Sequence, residues 1–527
     1  MKTLKNMMKK IALILSVSAL SLTFNSCGSD FLETIPSRDI SEAEVMSTFE
    51  GAMMAVNGLH RLMYAFVDAN TNTARATTTT STGYGQGVSS LWLAMDHMGD
   101  DFVYFVAPAS WFVMYNWVTQ TRQESSSWHF FWSWCYQIIN NANGIINRIN
   151  EFEASDNDRN YILGQALAYR AFGHFWAVQL WGGRYVRGAA NDQLGVPLLT
   201  EQITEPRPRA TVAAVYAQIN EDLTRAIELL TDNPSAINRR NRSHINANVA
   251  HGLMARVALV QQNWDAAASH ARAARQGVPL ATASDLLGGF HTVNAPEVIW
   301  GMRFDNSQGS TSINFALFIT LNSMGSPSIV RTEPRLVNRE FYDWMAPNDI
   351  RRDWWITDSL DPRYAQLLAG GWASMRPWAN QKFRVNGTWI PEGSGNQIDR
   401  LMMRGSEMLL IEAEAEARAG NIAEAQAALT TLMGVRVPGF TTTNTGQALI
   451  NEIMQNRRIE LWGEGHRWLD LKRLGEGMRR TPEQGHLEAL TGNTFNVLVP
   501  ASDPRWNIQL PQREVEVSRG AIVQNPL

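Results

Sequence analysis

Residues 457–475 read RRIELWGEGHRWLDLKRLG. Three acids, Glu460, Glu464 and Asp470, stand among four arginines, a histidine and two tryptophans. Read as one helix, every acid has a base three residues away: Glu460 with Arg457, Glu464 with Arg467, Asp470 with Arg473. Leu461, Trp468 and Leu469 fall on one apolar stripe. Gly463 and Gly465 each cost about 1 kcal/mol relative to alanine in a helix interior, so their presence points to a close backbone approach. Two glutamates four residues apart also invite an enzymatic reading, an exported glycosidase using Glu460 and Glu464. That chemistry needs carboxyl groups roughly 5–10 Å apart across a cleft. Side by side on a helix, next to arginines, the two are better suited to ion pairing. The stretch reads as scaffold, and the scaffold as helical.

Other helices follow on either side. The spacing of apolar residues predicts amphipathic helices over 49–66, 128–152 and 160–181, the last stopped by Gly182-Gly183. Three later segments look like helix pairs or parts of them. Residues 216–230 (YAQINEDLTRAIELL) form one helix. Residues 248–275 break near Gln262-Asn263, and residues 408–433 break at Gly420-Asn421. Alanines at close-approach positions and a polar turn between two helices resemble tetratricopeptide units. The copies are irregular and widely separated, which fits a helical scaffold interrupted by insertions better than a regular solenoid. The insertions, 67–127 and 301–400, are rich in aromatic and small polar residues; loops of that length are usually functional or disordered, and the aromatic content disfavours disorder. The end of the chain, WNIQLPQREVEVSRGAIVQNPL, reads as extended and short-stranded, lying across the helices.

The first 27 residues carry four lysines, then an apolar run from Ile11 to Phe24, then Ser26-Cys27. This is the pattern of a secretory signal, with an apolar run too short to be a comfortable membrane span. A small residue before Cys27 resembles a lipoprotein processing site, although Phe24 and Asn25 replace the usual leucine and small residue. Lipid on Cys27 would supply membrane affinity. Loss of residues 1–26 removes four lysines and no acid, taking the formal charge of the 527-residue chain from −4 to −8. An acidic surface of this kind disfavours nucleic acid as a partner. Cys135 is the only other cysteine. With Cys27 lipidated it has no disulfide partner and reads as a small buried hydrophobe.

Motifs for chemistry are scarce. There is no G-x-S-x-G, no H-E-x-x-H and no Walker loop, and no cofactor is implied. His97 with Asp96, Asp100 and Asp101 (MDHMGDDF) reads as a solvated loop or capping cluster more readily than as a metal site. The 19 tryptophans carry more information. Trp128, Trp132, Trp134, Trp176 and Trp468 belong to helices and to the core. Trp111, Trp117, Trp372, Trp378 and Trp389 stand in loops among Ser, Asn, Gln, Gly and Thr. An exposed indole beside amides and hydroxyls suits a sugar ring, whose apolar face stacks while its hydroxyls bond. The candidate ligand residues are Tyr104, Trp111, Tyr115, Asn116 and Trp117, then Trp372 and Trp378.

Six segments in order carry a resemblance to a known family: SCGSDFLETIP (26–36), WHFFWSWCYQIINNANGIINRI (128–149), ALAYRAFGHFWAVQLWGG (166–183), RGSEMLLIEAEAEARAGN (404–421), the opening stretch (457–475) and IQLPQREVEVSRGAIVQNP (508–526). Together they are similar to the SusD/RagB outer-membrane lipoproteins of the Bacteroidetes. One departure is Gly183-Arg184-Tyr185-Val186, where the family often has Asp followed by Val-Pro. The resemblance implies a mainly α fold, a SusD-like scaffold of irregular tetratricopeptide-like pairs with long loop insertions and a few short strands. It implies a signal peptide over 1–26 and one domain over 27–527, comprising an N-terminal part (27–210), central helices (211–275) and a C-terminal part bearing ligand loops (276–527). It also implies a non-enzymatic, lipid-anchored protein on the cell surface. Such a protein would capture oligosaccharides for a SusC-like TonB-dependent transporter in the outer membrane. Peptide cargo, which some relatives handle, is the alternative. The family's ligand loops vary, so no ligand residue transfers by motif.

Overall fold

The computed structural model describes residues 47–64, 66–68, 73–75, 85–104, 111–304, 315–319, 334–369, 376–384, 398–486 and 498–527. Cys27, Trp372 and Trp389 lie outside them.

The described chain is mainly helical. The principal helices are α1 (Phe49–Leu62), α2 (Val88–Met98), α3 (Ser126–Asn147), α4 (Asp156–Trp181), α5 (Val212–Leu230), α6 (Ala247–Val260), α7 (Trp264–Arg275), α8 (Gly405–Ala419), α9 (Ile422–Arg436), α10 (Gly446–Glu460) and α11 (Arg467–Leu474). From α3 to α9 each helix packs on the next, giving one continuous row. Local chemistry sets the boundaries. The hydroxyls of Ser155 and Thr211 cap α4 and α5 by accepting from the third amide beyond. The α6–α7 turn has Gln262 in the left-handed region and Asn263 as N-cap. The α8–α9 turn has Gly420 at φ +91°. Both breaks fall where the sequence places them.

Charged side chains lock neighbouring helices. Buried Arg170 of α4 donates to Asp222 of α5 at 2.8 Å. Arg272 and Arg275 of α7 both donate to Glu412 of α8 at 2.8 Å. Arg256 of α6 reaches Glu407 at 2.7 Å. The acids of IEAEAEARA are thus tertiary partners and not a solvated stripe. Cys135 is buried inside α3 with a free thiol that burial pushes up.

Short strands fill the gaps: β1 (Phe102–Val103), β2 (Val298–Met302), β3 (Leu336–Val337), β4 (Trp355–Ile356), β5 (Ala379–Asn380) and β6 (Arg400–Arg404). Strands β1-β3-β5-β4 form a small antiparallel sheet, and β2 pairs with β6. The C-terminal segment crosses the helices as expected: Ile508 N donates to Leu180 O, and the Asn525 amide to Trp181 O. It does so without strands, through a 3-10 turn at Pro504–Trp506 and a short helix at Gln512–Val517. Side-chain amides, notably Asn525, take over the bonding that a ladder would supply.

The opening stretch is not one helix. α10 ends at Glu460, and the chain turns through Gly463 (φ +80°) and Gly465 (φ +78°) before α11 begins. A Cβ on Gly463 would lie 2.6 Å from the Phe383 ring, and one on Gly465 2.6 Å from the Trp92 Cα. Close approach is therefore what these glycines provide.

Candidate functional site

The turn redirects the charged groups of the opening stretch, so two of the three short-range pairs do not form. Arg457 pairs with Asp470 at 2.8 Å, and Arg467 with Asp100 at 2.6 Å. Only Asp470–Arg473 is realised as read, at 2.7 Å. Glu460 and Glu464 instead join a buried network of four acids and four bases: Glu297, Asp349, Glu460 and Glu464 with Arg351, Lys382, Arg404 and Arg436. Burial alone would raise the Glu464 carboxyl; Arg404 and Lys382 outweigh it and hold it at about 2. Carboxylates sealed among arginines can neither donate a proton at neutral pH nor reach a substrate.

The Asp96–Asp101 segment is the other half of this core, and the expected solvated loop is buried. Asp100 and Asp101 pair with Arg467 and Arg458. Asp96 accepts the Gly465 amide at 2.9 Å. Among the described residues no group of three His, Cys, Asp or Glu is placed to hold a metal ion.

Three of the sequence-selected aromatics converge on His97 at the end of α2. Its Nδ1 donates to the Leu93 carbonyl, which leaves Nε2 to accept from the Tyr104 hydroxyl. Trp111 stacks on the imidazole, with centroids 5.4 Å apart. Tyr115, on the helical turn Phe112–Tyr115, meets Tyr104 edge-on at 5.1 Å, and its hydroxyl donates to His486 Nδ1 at 2.7 Å. Burial, with Arg335 and Arg480 adding to it, keeps His97 neutral; burial and Arg480 hold His486 at about 3. The Arg480 guanidinium lies 3.6 Å over the Tyr115 ring and donates to the carbonyls of His97 and Gly99. Trp117 sits apart, its indole N–H on Met98 O at 2.9 Å and its ring against Trp506.

These rings do not present the exposed faces expected of them. Trp111 and Trp117 are each 1% exposed, and Tyr104, Tyr115 and Asn116 are buried as well. Each ring finds a tertiary partner that local sequence does not reveal, so this group forms a packed floor. Trp378 differs. It is half-buried, with Tyr342 edge-on at 5.5 Å and Arg339 5.8 Å above its ring. It leads directly into β5, which connects through β3 to β1 and Tyr104. Trp111, Trp117 and Trp378 all have left-handed backbones, φ +66°, +58° and +75°. Bulky residues held there are strained, and such strain gathers at functional sites.

The sequence reading missed two rings. The short helix Glu340–Trp344 carries Tyr342, which meets Trp378, and Trp344. Trp344 borders a cavity of about 380 Å³ whose walls include Asn444, Asn451 and Gln455. An aromatic ring beside amides was the pattern sought, but Trp344 draws its amides from α10 and the residues just before it, far downstream in the chain.

Residues 64–259 match a family model described as SusD-like, starch-binding associating with outer membrane, and residues 338–527 match one described as the SusD family. A SusD-like protein of Formosa agariphila is 23% identical over 393 residues, 67% of this chain and 74% of its own. Among solved structures, a SusD-like carbohydrate-binding protein from Bacteroides vulgatus superposes with a TM-score of 0.73 at 23% identity, covering 90% of this chain and 97% of that one. A SusD superfamily protein from Bacteroides thetaiotaomicron gives 0.73 at 22%, covering 91% and 100%. Surface glycan-binding protein A of the same species, in complex with laminarihexaose, gives 0.64 at 17%, covering 91% and 100%.

Proposed function

The chain belongs to the SusD/RagB family, and from that membership we propose that it captures oligosaccharides at the cell surface and delivers them to a SusC-like TonB-dependent transporter. The family description, starch-binding in association with the outer membrane, supports the setting. The laminarihexaose complex of a structural neighbour supports a glycan as cargo. Lipid on Cys27 would hold the protein to that membrane. Catalysis has no place in the reading, since the glutamates that suggested it are sealed in the core.

The observation that carries the ligand assignment is the half-buried Trp378 beside Tyr342, an aromatic pair within the 301–400 insertion whose sequence also holds Trp372. Tyr104, Trp111, Tyr115, Asn116 and Trp117 are buried, and ligand contact there would require these side chains to move. Loss of one stacking ring removes about 1.5–3 kcal/mol of apolar burial, on the order of ten- to a hundredfold in affinity. Affinity electrophoresis against a panel of soluble polysaccharides tests this. Trp378→Ala and Tyr342→Ala should each release the retained glycan while leaving the fold intact; Trp111→Ala should lower stability as well. If no polysaccharide retards the wild type, the glycan reading falls, and bound peptide identified by mass spectrometry would replace it.

A further inference from the structure

A second cavity, of about 590 Å³, opens between α1, residues 239–243 and the end of β2. Its lining brings together Arg239, Arg240, Arg242 and Arg303 with Asn57 and Asn294, and contains no acid. Two of the arginines are fixed in place by carbonyls. Arg239 donates to His244 O at 2.6 Å and to Ile299 O at 2.7 Å, and Arg242 donates to Val298 O. Arg240 and Arg303 are exposed. Among the described residues no carboxylate pairs with any of the four. Asp399, beside the cavity, accepts from the amides of Val293 and Phe304 and keeps its negative charge, but it pairs with none of the four.

The contrast with the core is sharp. There, four bases meet four acids; here, four positive charges gather in a chain whose formal net charge is negative. The histidines behind the cavity add nothing to compensate. Burial and His244 lower His60, while burial, Arg239 and Arg240 hold His244 at about 4, so both are neutral. Burial and the neighbouring Arg242 bring Arg239 down to about 10. Guanidinium groups that repel one another, two of them held by backbone carbonyls and none of the four paired with a carboxylate among the described residues, form an anion site. Their planar forks match carboxylate or sulfate oxygens. The volume suits a small ligand, and the asparagine amides can bond hydroxyls.

We propose that this cavity binds an acidic sugar unit, with a carboxylate or sulfate ester on the guanidinium groups of Arg239, Arg240, Arg242 and Arg303 and its hydroxyls on Asn57 and Asn294. The proposal rests on the glycan-capture reading and adds a chemical class to it. Matched polymers test it on the purified protein by affinity electrophoresis: dextran sulfate against dextran, and polygalacturonate against its methyl ester. The wild type should prefer the charged member of a pair. The double variant Arg240→Ala/Arg303→Ala, both sites being exposed, should fold normally and weaken that retention at least tenfold. The control Arg187→Ala/Arg207→Ala, at exposed sites outside the cavity, should leave it unchanged.

Equal retention of charged and neutral members overturns the anionic site and leaves glycan capture standing. So does a double variant that behaves like wild type or like the control. Retention of neither member of any pair also overturns the anionic site; glycan capture falls with it only if the wider polysaccharide panel is not retained either. Vesicles containing anionic phospholipid distinguish the remaining source of anions: if the double variant loses only vesicle binding, the cavity serves a lipid headgroup and the proposal fails.

Discussion

Glu464 shows how little a residue's neighbours in sequence decide about its role. Its carboxylate accepts from Lys382 at 2.6 Å and from Arg404 at 2.6 and 2.9 Å, across 82 and 60 positions. Breaking such a buried network by removing one partner strands the others, at about 3–5 kcal/mol. Arg404→Ala should therefore lower unfolding free energy by that order in urea titrations, with no effect on any hydrolytic assay. The same network fixes a pH dependence. Glu464 is held at about 2 against an ordinary value of 4.5, so its charged form stabilises the fold fully above about pH 4.5. That contribution falls away as pH drops from 4.5 towards 2. Unfolding midpoints at pH 5.5, 4.0 and 3.0 should decline in the wild type and decline less steeply in Glu464→Gln, which starts from lower stability. Parallel slopes in the two proteins would show that Glu464 is not the titrating group.

At the scale of elements, the sequence was most legible where structure is local. The breaks at Gln262-Asn263 and Gly420-Asn421 were placed correctly, because a polar or glycine turn is written in the residues that make it. The break inside 457–475 was missed because the charged spacing fits a helix and the cause lies elsewhere, in Trp92 and Phe383 pressed against the turn. Two glycines separate these effects. Gly420 (φ +91°) has nothing within 4 Å of a built Cβ, so Gly420→Ala should cost only the left-handed backbone term, about 1–2 kcal/mol. Gly465 has the Trp92 Cα at 2.6 Å, so Gly465→Ala should add an overpacking term of about 1–3 kcal/mol. The comparison is a pair of urea midpoints at unchanged m-value. Equal shifts would mean that the turn relaxes away from Trp92, and that close approach is not why glycine stands there.

Over the whole molecule, the helical row was readable from apolar period and alanine content, and the aromatic platform only in part. Trp378 was reached because its loop setting is visible in sequence; Tyr342 and Trp344 were not, since their partners are Trp378 itself and amides in and just before α10. The burial of Trp111 and Trp117 was equally hidden, because His97 and Trp506 supply the contacts. Membrane attachment belongs to this scale too. No helix among the described residues is long and apolar enough to cross a bilayer. A formal charge of −8 after loss of residues 1–26 gives no general attraction to an anionic surface. In the proposed function, lipid on Cys27 would retain the protein at the membrane. Cys27→Ser should shift the protein from the membrane fraction to the soluble fraction, without changing the urea midpoint of the folded body. Fractionation belongs in cells that lack the proposed transporter partner, since a barrel holding the body would mask release. Retention of Cys27→Ser in washed membranes of such cells would remove the lipid from the account and direct attention to a surface of the folded body.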